Sequence, residues 1–269
     1  MKDKGRLHEL RRRYGPWALV TGASSGIGKE FARRLGRAGL NLVLVARREA
    51  LLEELAAELS QEHGVDCRVV ALDLSRESSA RRLFESVGGL DIGLLVNNAG
   101  SGWIGRFELK EPSYHTDLIR LHCSTVVELT ARFLAPMHSR KRGGLIIVAS
   151  VAAYLPTPFY SVYGGTKAFL LSWGEALAEE LRGGPVDLLV VSPGDTGTGF
   201  QEVAGEMSSR FTPVETVVGD ALAALGRKTT VVPGLDYRLS LFLARFLPRR
   251  LLVKIVARRQ RAQTPAERR

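Results

Sequence analysis

Long hydrophobic runs are what this 269-residue chain lacks most clearly. A membrane-spanning helix needs roughly 18 or more apolar residues without charge. The most apolar late stretch, from Leu239 to Val256, is broken by Arg245, Arg249, Arg250 and Lys254, so no spanning helix is expected. Cysteine is scarce as well: Cys67 and Cys123 stand far apart without metal-ligand spacing, and no metal site is expected. The chain opens on charged residues instead of a signal peptide, which makes a reducing cytoplasm the default expectation. Acidic charge is in deficit, for a net charge of +10, but the excess lies at the ends. Residues 1–13 carry six basic and two acidic side chains, residues 245–269 carry nine and one, and the remainder therefore sums to −2. No interleaved aromatic or glycine-rich RNA-binding motif accompanies the charge, so nucleic acid is not an expected partner. The basic ends read either as solvated arms or as segments drawn to an anionic membrane surface or partner.

What is present is a regular alternation. Apolar residues make up 45% of the chain, enough for one well-buried α/β domain over residues 1–269. Short uninterrupted apolar runs recur at 17–21, 42–46, 69–72, 94–96, 145–149, 188–191 and 229–232, separated by segments of helical period. Such runs signal strands covered on both faces. Their alternation with helices predicts a Rossmann-type, doubly wound, mainly parallel sheet of about seven strands, with ligands bound beyond the carboxyl ends. Within the chain the reading is a basic segment at 1–14, a core at 15–232 and a basic extension at 233–269. From Tyr237 to Arg261, Leu, Phe, Ile and Val alternate with basic residues, which predicts a cationic amphipathic helix. Such a helix could lie on a bilayer, cover a cleft, join two copies or pack on its own domain.

Two local patterns carry chemistry. The first turn reads TGASSGIG, from Thr21 to Gly28, directly after a strand and opening a helix. Gly22, Gly26 and Gly28 permit tight turns and close approach of a pyrophosphate, whose charge the helix N-terminus favours. The second pattern places Ser150 thirteen residues before Tyr163, and Tyr163 four before Lys167. On a helix the last two share a face. A phenol with a pKa near ~10 is a poor acid at neutral pH, and an adjacent ammonium is the means of lowering it. Tyr-x3-Lys alone is expected about 0.2 times by chance in this composition, so the pair needs support from elsewhere.

That support is the order of the motifs. TGASSGIG, the NNAG of Asn97 to Gly100, Ser150, Tyr163-x3-Lys167 and Pro193-Gly194 resemble, in order and spacing, the short-chain dehydrogenase/reductase family over about residues 15–232. The flanking YGPWALVTGASSGIG and LVLVARR are similar to the branch acting on hydrophobic ketones, acyl chains or steroids. The resemblance implies carbonyl reduction, or its reverse, with hydride from a nicotinamide cofactor. Tyr163 would protonate the alkoxide, Ser150 would bond the carbonyl oxygen, and Lys167 would lower the Tyr pKa and reach the nicotinamide ribose. It further implies that Ser24, Ser25 and Ile27 join the phosphate turn. Asp73 and Leu74 would flank the adenine, and Asn97, Ala99 and Gly100 would line the cleft. Pro193, Gly194, Thr196 and Thr198 would approach the nicotinamide amide. A homodimer or homotetramer is likewise implied. The rival from another class is a non-catalytic NADP-binding regulator of the same fold.

One family position departs from pattern, since His122 stands where Asn is usual. It reads either as a tolerated substitution or as a titratable proton relay. An acidic residue commonly ends the second strand to bind the ribose of NAD. Here Ala46 is followed by Arg47 and Arg48, whose guanidinium groups suit a 2′-phosphate. NADPH is therefore expected over NADH, with Arg47 the principal contact. Trp103, Tyr154, Leu155, Phe159 and Tyr160 suit a small hydrophobic carbonyl or alcohol substrate, with Arg106 available to an anionic tail. Tyr160 has Gly164 four positions later and is assigned to the pocket wall. The stretch from Asp195 to Pro213, with Phe200, Met207 and Phe211, reads as a mobile lid.

Overall fold

The structure is a computed structural model that describes residues 2–198, 204–205 and 211–268, with side chains from His8 onward. Seven strands form one sheet: β1 Trp17–Thr21, β2 Asn41–Ala46, β3 Cys67–Ala71, β4 Ile92–Asn97, β5 Gly143–Val148, β6 Val186–Val191 and β7 Thr230–Val231. Their order is β3-β2-β1-β4-β5-β6-β7, and every neighbouring pair is parallel. Because successive side chains of a strand point to opposite faces, the apolar runs feed two cores at once. Leu42, Leu44, Val96, Ile146 and Leu189 enter one, and Val43, Val45, Leu95, Ile147 and Val190 enter the other.

Helices cover both faces. On the first lie α2 Gly26–Arg37 and α3 Glu49–His63, which contribute Phe31, Leu35, Leu52 and Leu55. On the second lie α4 Ser79–Ser86, α6 Thr125–Ser139 and α7 Ser161–Glu180, with Leu83, Phe133 and Leu170. Burying each such side chain stabilises the fold by about 1.5–3 kcal/mol. α5 Pro112–Ile119 runs into α6 through a π-helical turn at Arg120–Ser124. α8 Val214–Ala224 precedes the last strand.

The basic N-terminal segment is a helix, α1 Lys2–Tyr14. Two anchors one turn apart hold it: Leu10 and Tyr14 are buried, and the Tyr14 hydroxyl donates to Asp187 at 2.7 Å beside an Arg13–Asp187 ion pair at 2.6 Å. The C-terminal extension is two helices, α9 Leu235–Ala244 and α10 Arg249–Gln263, where the sequence pattern predicts one. Pro248 separates them, because it lacks an N–H and disfavours the helical backbone of the residue before it. Phe200 and Met207 of the expected lid lie outside the described residues, while Phe211 is exposed.

Candidate active site

β1 and β4 are adjacent, and the chain reaches the two halves of the sheet on either side of them. A crevice opens beyond their carboxyl ends, as expected at such a switch point. Thr21 closes its floor: the hydroxyl donates to the Val96 carbonyl at 3.1 Å and accepts from the N–H groups of Asn98 and Ala99 at 2.9 and 3.0 Å. The crevice encloses about 860 Å³.

One end is the glycine turn. Gly22 and Gly26 adopt φ of 70° and 54°, a region that L side chains rarely occupy. A Cβ on Gly26 would meet Thr198 Cγ2 at 2.8 Å, and one on Gly28 would collide with the Gly22 carbonyl. Gly28 thus keeps α2 against the turn without facing the crevice. Ser25, the residue before α2, makes no side-chain cap, and the first turn holds no acidic residue. The N–H groups there suit an anion. Arg48 donates to Ser24 Oγ at 3.0 Å and Ser25 Oγ at 2.9 Å. Arg47 lines the same end and acts on Asp73 through charge. Burial would raise the Asp73 pKa, but hydrogen bonds from the Ser75 hydroxyl and N–H, with Arg47 and Arg76 nearby, hold it below the usual carboxylate range. Leu74, Ala99 and Gly100 join the lining. Asn97 does not: it is buried, and its amide donates to Thr130 at 3.2 Å. Its neighbour Asn98 faces the crevice, donating to the Thr21 carbonyl at 2.8 Å.

The other end gathers Ser150, Tyr163 and Lys167. Ser150 follows β5, and its hydroxyl accepts from the Ala152 N–H at 3.1 Å, which fixes the oxygen at the strand end. Tyr163 and Lys167 share one face of α7, with Nζ 5.6 Å from the Tyr163 ring centroid. Lys167 is 5% exposed, and its ammonium donates to the Val148 carbonyl at 2.8 Å. Burial lowers its pKa to about 8. Tyr160 stacks on Tyr163 with centroids 4.3 Å apart and planes at 10°, and lines the crevice beside it.

His122 sits in the π-helical turn, 1% exposed. Its Nε2 accepts the Ser101 N–H at 3.1 Å, so the proton belongs on Nδ1, which lies 2.9 Å from Thr166 Oγ1. Thr166 in turn donates to the Tyr163 carbonyl at 2.7 Å. Burial, then the charge of Lys167, holds the His122 pKa well below its ordinary value. Both ring nitrogens are thus engaged, one by the Ser101 backbone and one by Thr166.

Of the expected substrate wall, Leu155 and Tyr160 line the crevice, and Tyr154 lines a smaller adjoining cavity. Trp103 and Phe159 do not line it. Trp103 is flanked by the cations of Lys110 and Arg268 at 5.2 and 5.8 Å. The Phe159 backbone, at φ 66°, turns its carbonyl to the Gly105 N–H. Arg106 is taken up by Glu108 at the surface. Pro193, Gly194, Thr196 and Thr198 close the far side.

The outer wall comes from α9 and α10, and covering a cleft is one of the placements the sequence leaves open for this segment: Tyr237, Leu241, Val256, Arg259 and Gln260 all face the crevice. The Tyr237 hydroxyl accepts the Asp195 N–H at 2.9 Å, and its ring lies so close to Gly194 that a Cβ there would collide with it. The amphipathic pattern gave the helical character of this segment but not which surface it would cover.

Residues 16–209 match the family model described as short chain dehydrogenase. The very-long-chain 3-oxoacyl-CoA reductase of Laccaria bicolor is 39% identical over 180 residues, 65% of this chain and 53% of that protein. The chain thus spans about half the length of such curated relatives. The 7beta-hydroxysteroid dehydrogenase of Collinsella aerofaciens is 32% identical over 233 residues, 84% of this chain and 88% of that one. Among solved structures, a 7beta-hydroxysteroid dehydrogenase superposes with a TM-score of 0.86 at 28% identity, over 92% of this chain and 98% of the other. A short-chain dehydrogenase from Sphingobium yanoikuyae in complex with NADPH gives 0.77 at 31% identity, over 86% and 94%.

Proposed function

The chain belongs to the short-chain dehydrogenase/reductase family, and from that premise we propose that it is an NADPH-dependent reductase of apolar carbonyl compounds, or runs the reverse oxidation. The observation that carries the reading is the meeting of Ser150, Tyr163 and Lys167 at one end of a crevice whose other end is a glycine turn backed by two arginines.

The residues present fit the cofactor. The uncapped N-terminus of α2 would hold a pyrophosphate, Arg47 and Arg48 a 2′-phosphate, and Asp73 with Leu74 the adenine. Bound there, NADPH supplies a hydride equivalent. The chain supplies the rest. Ser150 Oγ, held by the Ala152 N–H, orients the carbonyl oxygen. Tyr163 gives that oxygen a proton as negative charge develops. Lys167, with its ammonium beside the phenol ring, favours the deprotonated product of that transfer. The wall from α9 and α10 bounds the substrate side with Tyr237, Leu241 and Val256. An apolar ketone, acyl or steroid substrate fits Leu155, Tyr160, Leu241 and Val256, and the names of the similar proteins support the same chemical range.

Two expected results follow from the titrating groups. Lys167 must be charged to act on the phenol, and its pKa in the cofactor-free chain is lowered to about 8. Its ammonium is therefore present below that value and lost above it. kcat/KM for NADPH should fall as the pH rises through about 8, and a profile flat well past that point contradicts the role. Burial holds His122 toward its neutral form, and its two ring nitrogens tie the Ser101 backbone to Thr166, so it acts as a strut. An Asn side chain can also accept and donate. His122→Asn should then leave the pH profile near neutrality in place, whereas a displaced profile would assign His122 to proton transfer.

A further inference from the structure

We infer that the outer faces of α9 and α10 form a docking surface for an anionic lipid bilayer, and that an apolar substrate passes from that bilayer into the crevice directly beneath. The lipid contact stands by itself; only the passage of a carbonyl compound rests on the function proposed above.

Neither helix contains a fully buried residue, and their inner sides wall the crevice through Tyr237, Leu241 and Val256. Their outer sides are unpartnered and apolar. Of the thirteen large hydrophobic side chains that are exposed among the described residues, eight lie between Leu235 and Ile255. Leu239, Phe242, Leu243 and Phe246 recur at helical spacing, with Phe246 73% exposed, and Leu251 and Ile255, four apart on α10, are exposed as well. A soluble surface rarely concentrates apolar side chains in this way unless something covers them.

Charge identifies the cover. Residues 235–261 hold eight basic side chains and one acidic. Among the described residues only Arg238 and Arg259 of these pair with a carboxylate, to Asp220 and Asp195 at 3.5 Å each. Arg250, Lys254, Arg258 and Arg261 recur at helical spacing immediately beside the apolar line of Leu251 and Ile255, all exposed. A symmetric contact between two copies through this face would set these cations against their own counterparts. A bilayer with anionic headgroups takes both features together, burying the Phe and Leu side chains at the acyl boundary while each cation meets a phosphate. No helix among the described residues is long and apolar enough to cross the bilayer, so the contact is interfacial.

The test is flotation of the full chain with vesicles of phosphatidylcholine containing phosphatidylglycerol, against phosphatidylcholine alone. The expected result is binding to the anionic vesicles only, weakened by about tenfold at high salt. Phe242→Ser with Phe246→Ser should weaken it on the order of a hundredfold, and Arg250→Glu with Lys254→Glu should abolish the preference for phosphatidylglycerol. All of these variants should keep their thermal transition and NADPH binding, since none of the four residues lines the crevice. Wild-type protein that stays in the aqueous phase with both vesicles overturns the proposal. So does a change in mass by light scattering in the Phe variant without any wild-type lipid binding, which would assign the face to a second copy.

Discussion

Replacing Tyr163 with Phe should lower kcat for carbonyl reduction by about 10³-fold, within the range of a lost general acid, while leaving NADPH binding intact. The asymmetry follows from position. The ring stays in place in the variant, because stacking on Tyr160 and the edge contact with His122 involve the ring and not the hydroxyl. Lys167 keeps its bond to the Val148 carbonyl, and the glycine turn and the arginine pair lie at the other end of the crevice. On the proposed mechanism, what disappears is the one proton that the alkoxide needs. Tyr160→Phe is the matched control, since its ring is parallel to that of Tyr163 but its sequence position lacks a Lys one turn on; its effect should be small. Near-normal turnover in Tyr163→Phe, or an equal loss in Tyr160→Phe, removes Tyr163 from its role.

Arg47→Asp should reverse the coenzyme preference. Hydrogen bonds from a charged group are worth about 1.5–3 kcal/mol each, so losing one such contact to a 2′-phosphate and placing a carboxylate in its stead should cost kcat/KM with NADPH roughly two orders of magnitude. NADH carries a hydroxyl at that point, which a carboxylate accepts from. Arg48, whose Nη2 already donates to Ser24 and Ser25, should make good only part of that loss. An unchanged ratio of kcat/KM values for the two coenzymes sinks the assignment of Arg47.

Much of this was legible in the chain. The apolar run at Trp17 to Thr21 coincides with β1, and all seven runs became strands because a doubly covered parallel sheet demands uninterrupted apolar residues. The crevice was readable for the same reason: its chemistry sits at strand ends and on one face of α7, where local spacing dictates geometry. What was not legible depended on contacts between distant segments. The helix α1 owes its place to Leu10, Tyr14 and an aspartate more than 170 positions away, Asp187. Asn97 and Asn98 are adjacent in sequence, and strand alternation sends the first into the core and leaves the second at the turn. Trp103 and Phe159 carry the right chemistry for a substrate wall, but backbone direction places them elsewhere, and α9 and α10 take their part.

Turnover tests the proposed function most directly. NADPH carrying deuterium at the reactive position of its nicotinamide, mixed with the protein and a panel of apolar ketones, aldehydes, 3-oxoacyl compounds and oxo-steroids, reports it directly. The predicted result is oxidation of the coenzyme with deuterium at the carbinol carbon of at least one product, absent in Tyr163→Phe. Tight NADPH binding with no transfer to any member of the panel would contradict the account and indicate a nucleotide-sensing protein of the same fold.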